Sequence, residues 1–145
     1  MEVITKNRKA YFQYEILEKF EAGIVLTGTE VKSIRNKDVS INESFAHIDN
    51  GEVFIYEMHI GQYKQGNRQN HDPKRVRKLL LHKREISKLV GKVKQKGYTI
   101  IPLSLYFKEG LVKVEIALVR GKTTVDKRED IKKRDAEREI QRTMR

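Results

Sequence analysis

The sequence predicts a mainly β domain that ends in a charged tail, and three observations carry that prediction. Short β-rich runs are separated by turn signals, only two segments show helical periodicity, and apolar residues become sparse after Arg120. A chain of 145 residues holds one domain with a real core and is too short for two ordinary ones. We therefore divide it into a domain at residues 1–120 and a tail at 121–145.

From Ala10 to Leu26, the residues Phe12, Tyr14, Ile16, Phe20, Ile24 and Leu26 recur at even spacing with Gly23 interrupting the run, which predicts strands with a bend or bulge. Thr29 stands where a helix N-cap belongs, with Glu30 in the first turn. Val31 and Ile34 then face one way before Asn36 and Lys37 end a short helix. Ser44 to Ile48 and Glu52 to Ile60 read as a hairpin around Asp49-Asn50-Gly51, because Asn-Gly tolerates the positive φ that a tight β-turn requires. Between His82 and Lys96, Ile86, Leu89, Val90 and Val93 share one helical face, and Gly97 is placed to stop that helix in the left-handed conformation. Tyr98 to Phe107 and Val112 to Val119 form a second hairpin over Lys108-Glu109-Gly110. Five or six short antiparallel strands with two helices fit a small barrel of the oligonucleotide-binding type, in which closure removes exposed edges. Pattern alone does not separate that barrel from a sandwich.

The tail has a different texture. Nine Lys or Arg and six Asp or Glu accompany only Val125, Ile131, Ala136, Ile140 and Met144 as apolar residues, so no core forms there. Asp126, Glu129 and Asp130 open the segment, Arg142 and Arg145 close it, and Asp130 lies four residues from Arg134, an order that suits a helix and its macrodipole. A short isolated helix is marginal in water, so the expectation is a tail disordered when free and helical against a charged surface.

The formal charge of +11 and a pI near 9.8 favour a polyanionic partner through phosphate contacts and counterion release. The excess is concentrated. From Gln62 to Arg84, eight cations (Lys64, Arg68, Lys74, Arg75, Arg77, Lys78, Lys83 and Arg84) face the single acid Asp72, while the rest of residues 1–120 is nearly balanced. A binding face looks like this, and so does a solvated loop whose cations only aid solubility.

Several function classes lose their footing. No stretch approaches the roughly 20 apolar residues of a membrane helix, and Met1-Glu2-Val3-Ile4-Thr5-Lys6 lacks a signal-peptide core, so a cytoplasmic protein is expected. The absence of cysteine excludes disulfides, thiolate chemistry and cysteine-based zinc sites. His47, His59, His71 and His82 form no metal-ligand spacing, no phosphate-binding glycine loop or nucleophile elbow exists, and the acids scatter through amphipathic patterns. The expectation is a protein without catalysis, cofactor or metal.

Asn7-Arg8-Lys9-Ala10, Glu18-Lys19-Phe20-Glu21-Ala22-Gly23-Ile24 and Gly28-Thr29-Glu30-Val31-Lys32-Ser33-Ile34-Arg35 resemble the opening of the small protein B family. His71-Asp72-Pro73, Arg77-Lys78-Leu79-Leu80-Leu81, Lys83-Arg84-Glu85-Ile86, Lys96-Gly97-Tyr98-Thr99, Gly121-Lys122, Asp126-Lys127-Arg128 and Ile131-Lys132 continue the resemblance in order over almost the whole chain. The resemblance implies a closed antiparallel oligonucleotide-binding-type barrel with two to three helices, gripping the tRNA-like domain of transfer-messenger RNA (tmRNA), which lacks a normal anticodon arm. The complex would occupy the empty A site of a stalled ribosome, with the tail near the decoding centre and in the vacant messenger channel. Alanine would pass to the nascent chain, and translation would resume on the RNA's own frame and add a degradation tag. Elongation factor Tu with GTP and alanyl-tRNA synthetase would act on the same RNA, and the catalysis would be theirs and the ribosome's.

Carried over residue by residue, the family's RNA-binding positions fall on Asn7, Glu21 and Leu80. Glu21, an acid in a basic protein, suits hydrogen bonds from base edges or sugar hydroxyls, or the orientation of a neighbouring cation. Leu80 fits either an apolar surface for an unstacked base or the core. Phosphate contacts are expected from Arg8, Lys9, Lys32, Arg75, Arg77 and Lys78. In the tail, Asp126, Lys127, Arg128, Ile131, Lys132 and Arg134 are the expected ribosome contacts, while Ala136 stands where some members carry an aromatic residue, so stacking there is lost. Three rival readings are a general single-strand-binding module, a basic ribosomal protein and an RNA-processing enzyme, against the last of which the missing catalytic site argues. The first needs aromatic platforms, and a chain with no tryptophan and 8% aromatic residues is expected to keep most of them in the core.

Overall fold

Hairpins with two-residue turns organise the chain. In the computed structural model, which describes residues 1–64, 70–94 and 97–121, Asn50 and Gly51 take φ of 52° and 76°, and Glu109 and Gly110 take 52° and 78°. Paired left-handed residues give the turn whose twist matches that of the flanking strands. In chain order the elements are β1 (Glu2–Lys6), α1 (Ala10–Gln13), β2 (Tyr14–Ile24), α2 (Gly28–Arg35), β3 (Val39–Ser40), β4 (Phe45–Asp49), β5 (Glu52–Tyr56), β6 (His59–Ile60), β7 (Arg77–Leu80), α3 (Lys83–Val93), β8 (Tyr98–Lys108) and β9 (Leu111–Gly121).

Among the described residues the protein is mainly β with three helices, and all strand pairs are antiparallel. Their pairings return on themselves: β2 pairs β9, β9 pairs β8, β8 meets β4 at Ala46–Ile100, β4 pairs β5, β5 pairs β7, and β7 pairs β2. Strand β1 lies along the other edge of β8, and β3 with β6 forms a separate two-stranded sheet. Val53, Ile55, Leu79, Leu105, Val114 and Ile116 fill the interior with at most 1% exposure. Helix α3 adds Leu89, and α2 adds Ile34. A second cluster of Ala10, Ile101, Leu103, Ala117 and Val119 lies apart from that core and draws on α1, β8 and β9.

Several sequence expectations need correction. The even-spaced run from Ala10 is not strand throughout, since Ala10–Gln13 is a helical turn and β2 begins at Tyr14. Its register shift falls between Ile16 and Glu18 rather than at Gly23. The N-cap of α2 is Thr27, whose backbone N–H donates to Glu30 Oε1 at 2.8 Å, while the Thr29 hydroxyl instead meets His71 Nδ1 at 2.9 Å. Helix α3 ends at Val93, and Gly97 has the expected positive φ of 86°. Strands β1 and β7 were not legible from the pattern, because their charged residues hide the apolar positions that face inward.

Candidate nucleic-acid interface

Residues directly opposite one another in antiparallel strands share a face of the sheet. Leu80 of β7 lies opposite Gly23 of β2, Gly23 opposite Lys113 of β9, Lys113 opposite Tyr106 of β8, and Tyr106 opposite Val3 of β1. Their neighbours Leu79, Ala22, Val114 and Leu105 are buried in the core, so the row runs across the outside of five strands. The next row places Glu21 opposite Glu115, and Glu115 opposite Ser104.

Glu21 stands near the middle of this wall. Tyr106, only 6% exposed, donates its hydroxyl to Glu21 Oε2 at 2.5 Å, and Lys108 Nζ lies 3.3 Å from both carboxylate oxygens. The Tyr106 hydrogen bond, with help from Lys108 and the charge of Lys113, holds the Glu21 carboxyl below its usual range against a smaller opposing effect of burial. Burial and the bond to Glu21 push the Tyr106 phenol up, so it stays a donor across the physiological range. An ionised carboxylate fixed in place is a ready acceptor for amino groups of base edges or for ribose hydroxyls.

Beside it, Leu80 is half exposed while Leu79 lies in the core, so Leu80 is not a core residue. Because Gly23 has no side chain, Leu80 leans over it, with Leu80 Cβ 3.4 Å from where a Cβ on residue 23 would be. Leu80, Gly23, Leu111 and Lys113 help line an apolar groove of about 240 Å³.

The turn after β1 carries Asn7, Arg8 and Lys9. Asn7 is 3% exposed, takes a 2.7 Å backbone bond to Leu103 O, and donates Nδ2 to Pro102 O at 3.1 Å. It therefore acts from beneath, pinning the turn to β8, while Arg8 and Lys9 project as exposed residues. Helix α1 follows at once, and Lys19 of β2 lies 5.9 Å over the Tyr11 ring, so this turn and the Glu21 wall adjoin. The turn bearing Asn7, Arg8 and Lys9 thus borders, through α1, the strand that carries Glu21 and faces Leu80, while Lys9 Nζ itself pairs with Glu43 at 3.6 Å.

The other expected phosphate contacts are placed differently. Arg77 is fully buried, and the expectation of a phosphate contact there is corrected: its guanidinium bonds Glu30 Oε2 at 2.8 Å and Met58 O at 2.6 Å. Arg75 donates to both Glu30 oxygens at 2.7 and 3.1 Å. Burial raises the Glu30 carboxyl, but hydrogen bonds from Arg75, the Thr27 N–H and Arg77 outweigh it and hold the pKa down at about 2. Lys78 pairs with Glu52 at 2.7 Å, Lys74 with Glu57 at 3.3 Å, and Lys32 lies 5.4 Å over the Tyr63 ring. Much of the basic excess between Gln62 and Arg84 is therefore tied to acids that the sequence places far away, and it is not one open face. Arg68 and the tail positions Asp126, Lys127, Arg128, Ile131, Lys132 and Arg134 lie outside the described residues.

Sequence reasoning missed Tyr106 and Lys108 of β8 and Lys113 of β9, two strands that read as ordinary β. It also misplaced the aromatics: Phe20 and Tyr106 are buried, whereas Tyr11, Phe12 and Phe45 are exposed. Among the described residues no His, Asp and Glu cluster could hold a metal ion, and no helix is long and apolar enough to cross a membrane.

Comparison with known proteins gives a consistent pattern. The family model described as SmpB protein matches residues 4–145. An SsrA-binding protein of Carboxydothermus hydrogenoformans is 59% identical over 143 residues, covering 99% of this chain and 96% of that protein. An SsrA-binding protein of Geobacillus kaustophilus is 57% identical, covering 99% and 92%. A solved chain reported under the words "tmRNA-SmpB: a journey to the center of the bacterial ribosome" superposes with a TM-score of 0.73 at 47% identity, covering 90% of this chain and 95% of that one.

Proposed function

The chain belongs to the SmpB protein family, and from that premise we propose that it binds the tRNA-like domain of tmRNA and delivers it to stalled ribosomes for trans-translation. The carrying observation is the outer wall at Glu21, where a fixed carboxylate, an exposed Leu80 and the cations Lys108 and Lys113 adjoin the turn bearing Arg8 and Lys9. Such a surface offers acceptors, an apolar platform and phosphate-neutralising charge to a folded RNA with unstacked bases.

The ring of pairings is read as a closed oligonucleotide-binding-type barrel spanning residues 1–120, with 121–145 as the ribosome-contacting tail. Asn7, Arg8, Lys9, Glu21 and Leu80 serve the RNA, Lys32 and Lys78 add charge at its margin, and Arg75 and Arg77 support the fold through Glu30. Tail residues Asp126, Lys127, Arg128, Ile131, Lys132 and Arg134 meet the decoding centre and the empty messenger channel. Elongation factor Tu with GTP and alanyl-tRNA synthetase act on the same RNA in the cytoplasm, and this protein is an adaptor rather than an enzyme.

The test is binding of the purified chain to the tRNA-like domain of tmRNA, to tRNA and to duplex RNA of equal length across a salt series. Preference for the tRNA-like domain should survive as salt removes the nonspecific part. Equal binding to all three, collapsing together as salt rises, would sink the reading in favour of a nonspecific basic module.

A further inference from the structure

Helix α1 presents two aromatic rings to solvent. Phe12 is 81% exposed and Tyr11 49%, whereas Ala10, at the start of the same turn, is 1% exposed in the cluster with Leu103 and Ala117. The helix is therefore anchored by one residue and displays the next two, and burying an exposed Phe is favourable for whatever partner covers it. Arg8 precedes these rings, Lys9 beside it pairs with Glu43 at 3.6 Å on the exposed surface, and Lys19 lies 5.9 Å over the ring of Tyr11. Aromatics interleaved with cations match the chemistry of an unpaired nucleobase and its phosphates better than that of an apolar protein surface. Lys19 and Glu21 are alternate residues of β2, so the rings border the wall already assigned to RNA.

We propose that Tyr11 and Phe12 form a stacking platform for an unpaired base of the bound tRNA-like RNA, which extends that interface from Leu80 across β2 and onto α1. The proposal rests on the reading of the Glu21 wall as the tmRNA-binding surface. Base stacking on an aromatic ring contributes enough that its removal weakens binding about tenfold.

Because the chain has no tryptophan, Phe12→Trp introduces a single reporter at the platform itself. The full-length variant is titrated with the isolated tRNA-like domain at a salt concentration that suppresses nonspecific binding. The expected result is quenching of the tryptophan emission as the RNA binds, with affinity kept by Phe12→Trp and lowered about tenfold by Phe12→Ala at unchanged melting temperature. Emission that ignores bound RNA would overturn the proposal. So would emission that responds only to ribosomes, or one that changes with protein concentration alone, since these assign the rings to ribosomal RNA or to a second copy of the chain. Loss of RNA binding by the unmodified chain would overturn the functional reading first and this proposal with it.

Discussion

Tyr106 shows how a buried residue can govern the one proposed to touch RNA. Its hydroxyl is the strongest influence on the Glu21 carboxyl, 85 positions away in sequence, and it fixes that group in place while lowering its pKa. Tyr106→Phe removes the donor and leaves no buried orphan, so stability should change little. Glu21 is partly exposed, so solvent screening limits the loss to about 1 kcal/mol, roughly a fivefold drop in affinity for the tRNA-like domain. The sign with pH follows from the depressed pKa. Binding that needs the carboxylate is present above the Glu21 pKa and fades as pH falls through it. Removing Tyr106 lets that pKa rise, so the acid limb of the binding curve should move to higher pH, and a shift to lower pH or none would refute the assignment. Combined with Glu21→Gln, the Tyr106 change should have no further effect, a coupling that a purely structural tyrosine would not show. Glu21 itself was legible in the sequence only through its motif, and Tyr106 was not legible at all, because pairing across β2, β9 and β8 is a tertiary fact.

The tie between α2 and β7 carries the same lesson at the level of elements. Glu30 lies in the first turn of α2, where a carboxylate accepts the Thr27 N–H, and it reaches across to Arg75 and Arg77 on the segment entering β7. Glu30→Gln would leave Arg77 buried without a counter-charge, and urea unfolding should report a loss of about 3–5 kcal/mol. Thr27→Ala, which removes the cap alone, should cost about 1 kcal/mol. Because the Glu30 pKa is about 2 against an ordinary 4.5, its contribution is complete above pH 4.5 and is lost as pH falls towards 2. Acid unfolding should therefore begin at higher pH in the Glu30→Gln protein, whose residual stability is smaller throughout. The sequence showed both tight hairpins through Asn50-Gly51 and Glu109-Gly110, since positive φ leaves a residue signature. It misplaced the cap because Thr27 and Thr29 are two residues apart and both chemically suited, and only the fold decides that Thr29 serves His71. Strand β7 stayed hidden because Arg77 reads as a surface cation until Glu30 is brought beside it.

At the scale of the molecule, the division of labour between domain and tail turns on what each contributes to the core. Among the described residues the buried positions run as far as Val119, and β9 closes the ring of pairings with Gly121. Removing residues 122–145, whose few apolar positions are too sparse in sequence for a core, should leave the melting temperature within a few degrees. The removed segment carries nine cations against six acids, a modest part of the +11 total, and the wall at Glu21 is untouched. Affinity for the tRNA-like domain should therefore fall only slightly, with most of its salt dependence kept by the domain. Tagging of nascent chains on stalled ribosomes should nonetheless be lost, because the segment assigned to the messenger channel is gone. The decisive comparison is made on one preparation of each protein, measuring unfolding, RNA binding and tagging together. A truncated protein that melts far lower, or that no longer prefers the tRNA-like domain, would place part of the fold or of the RNA site in residues 122–145, and the boundary drawn at Arg120 would have to be abandoned.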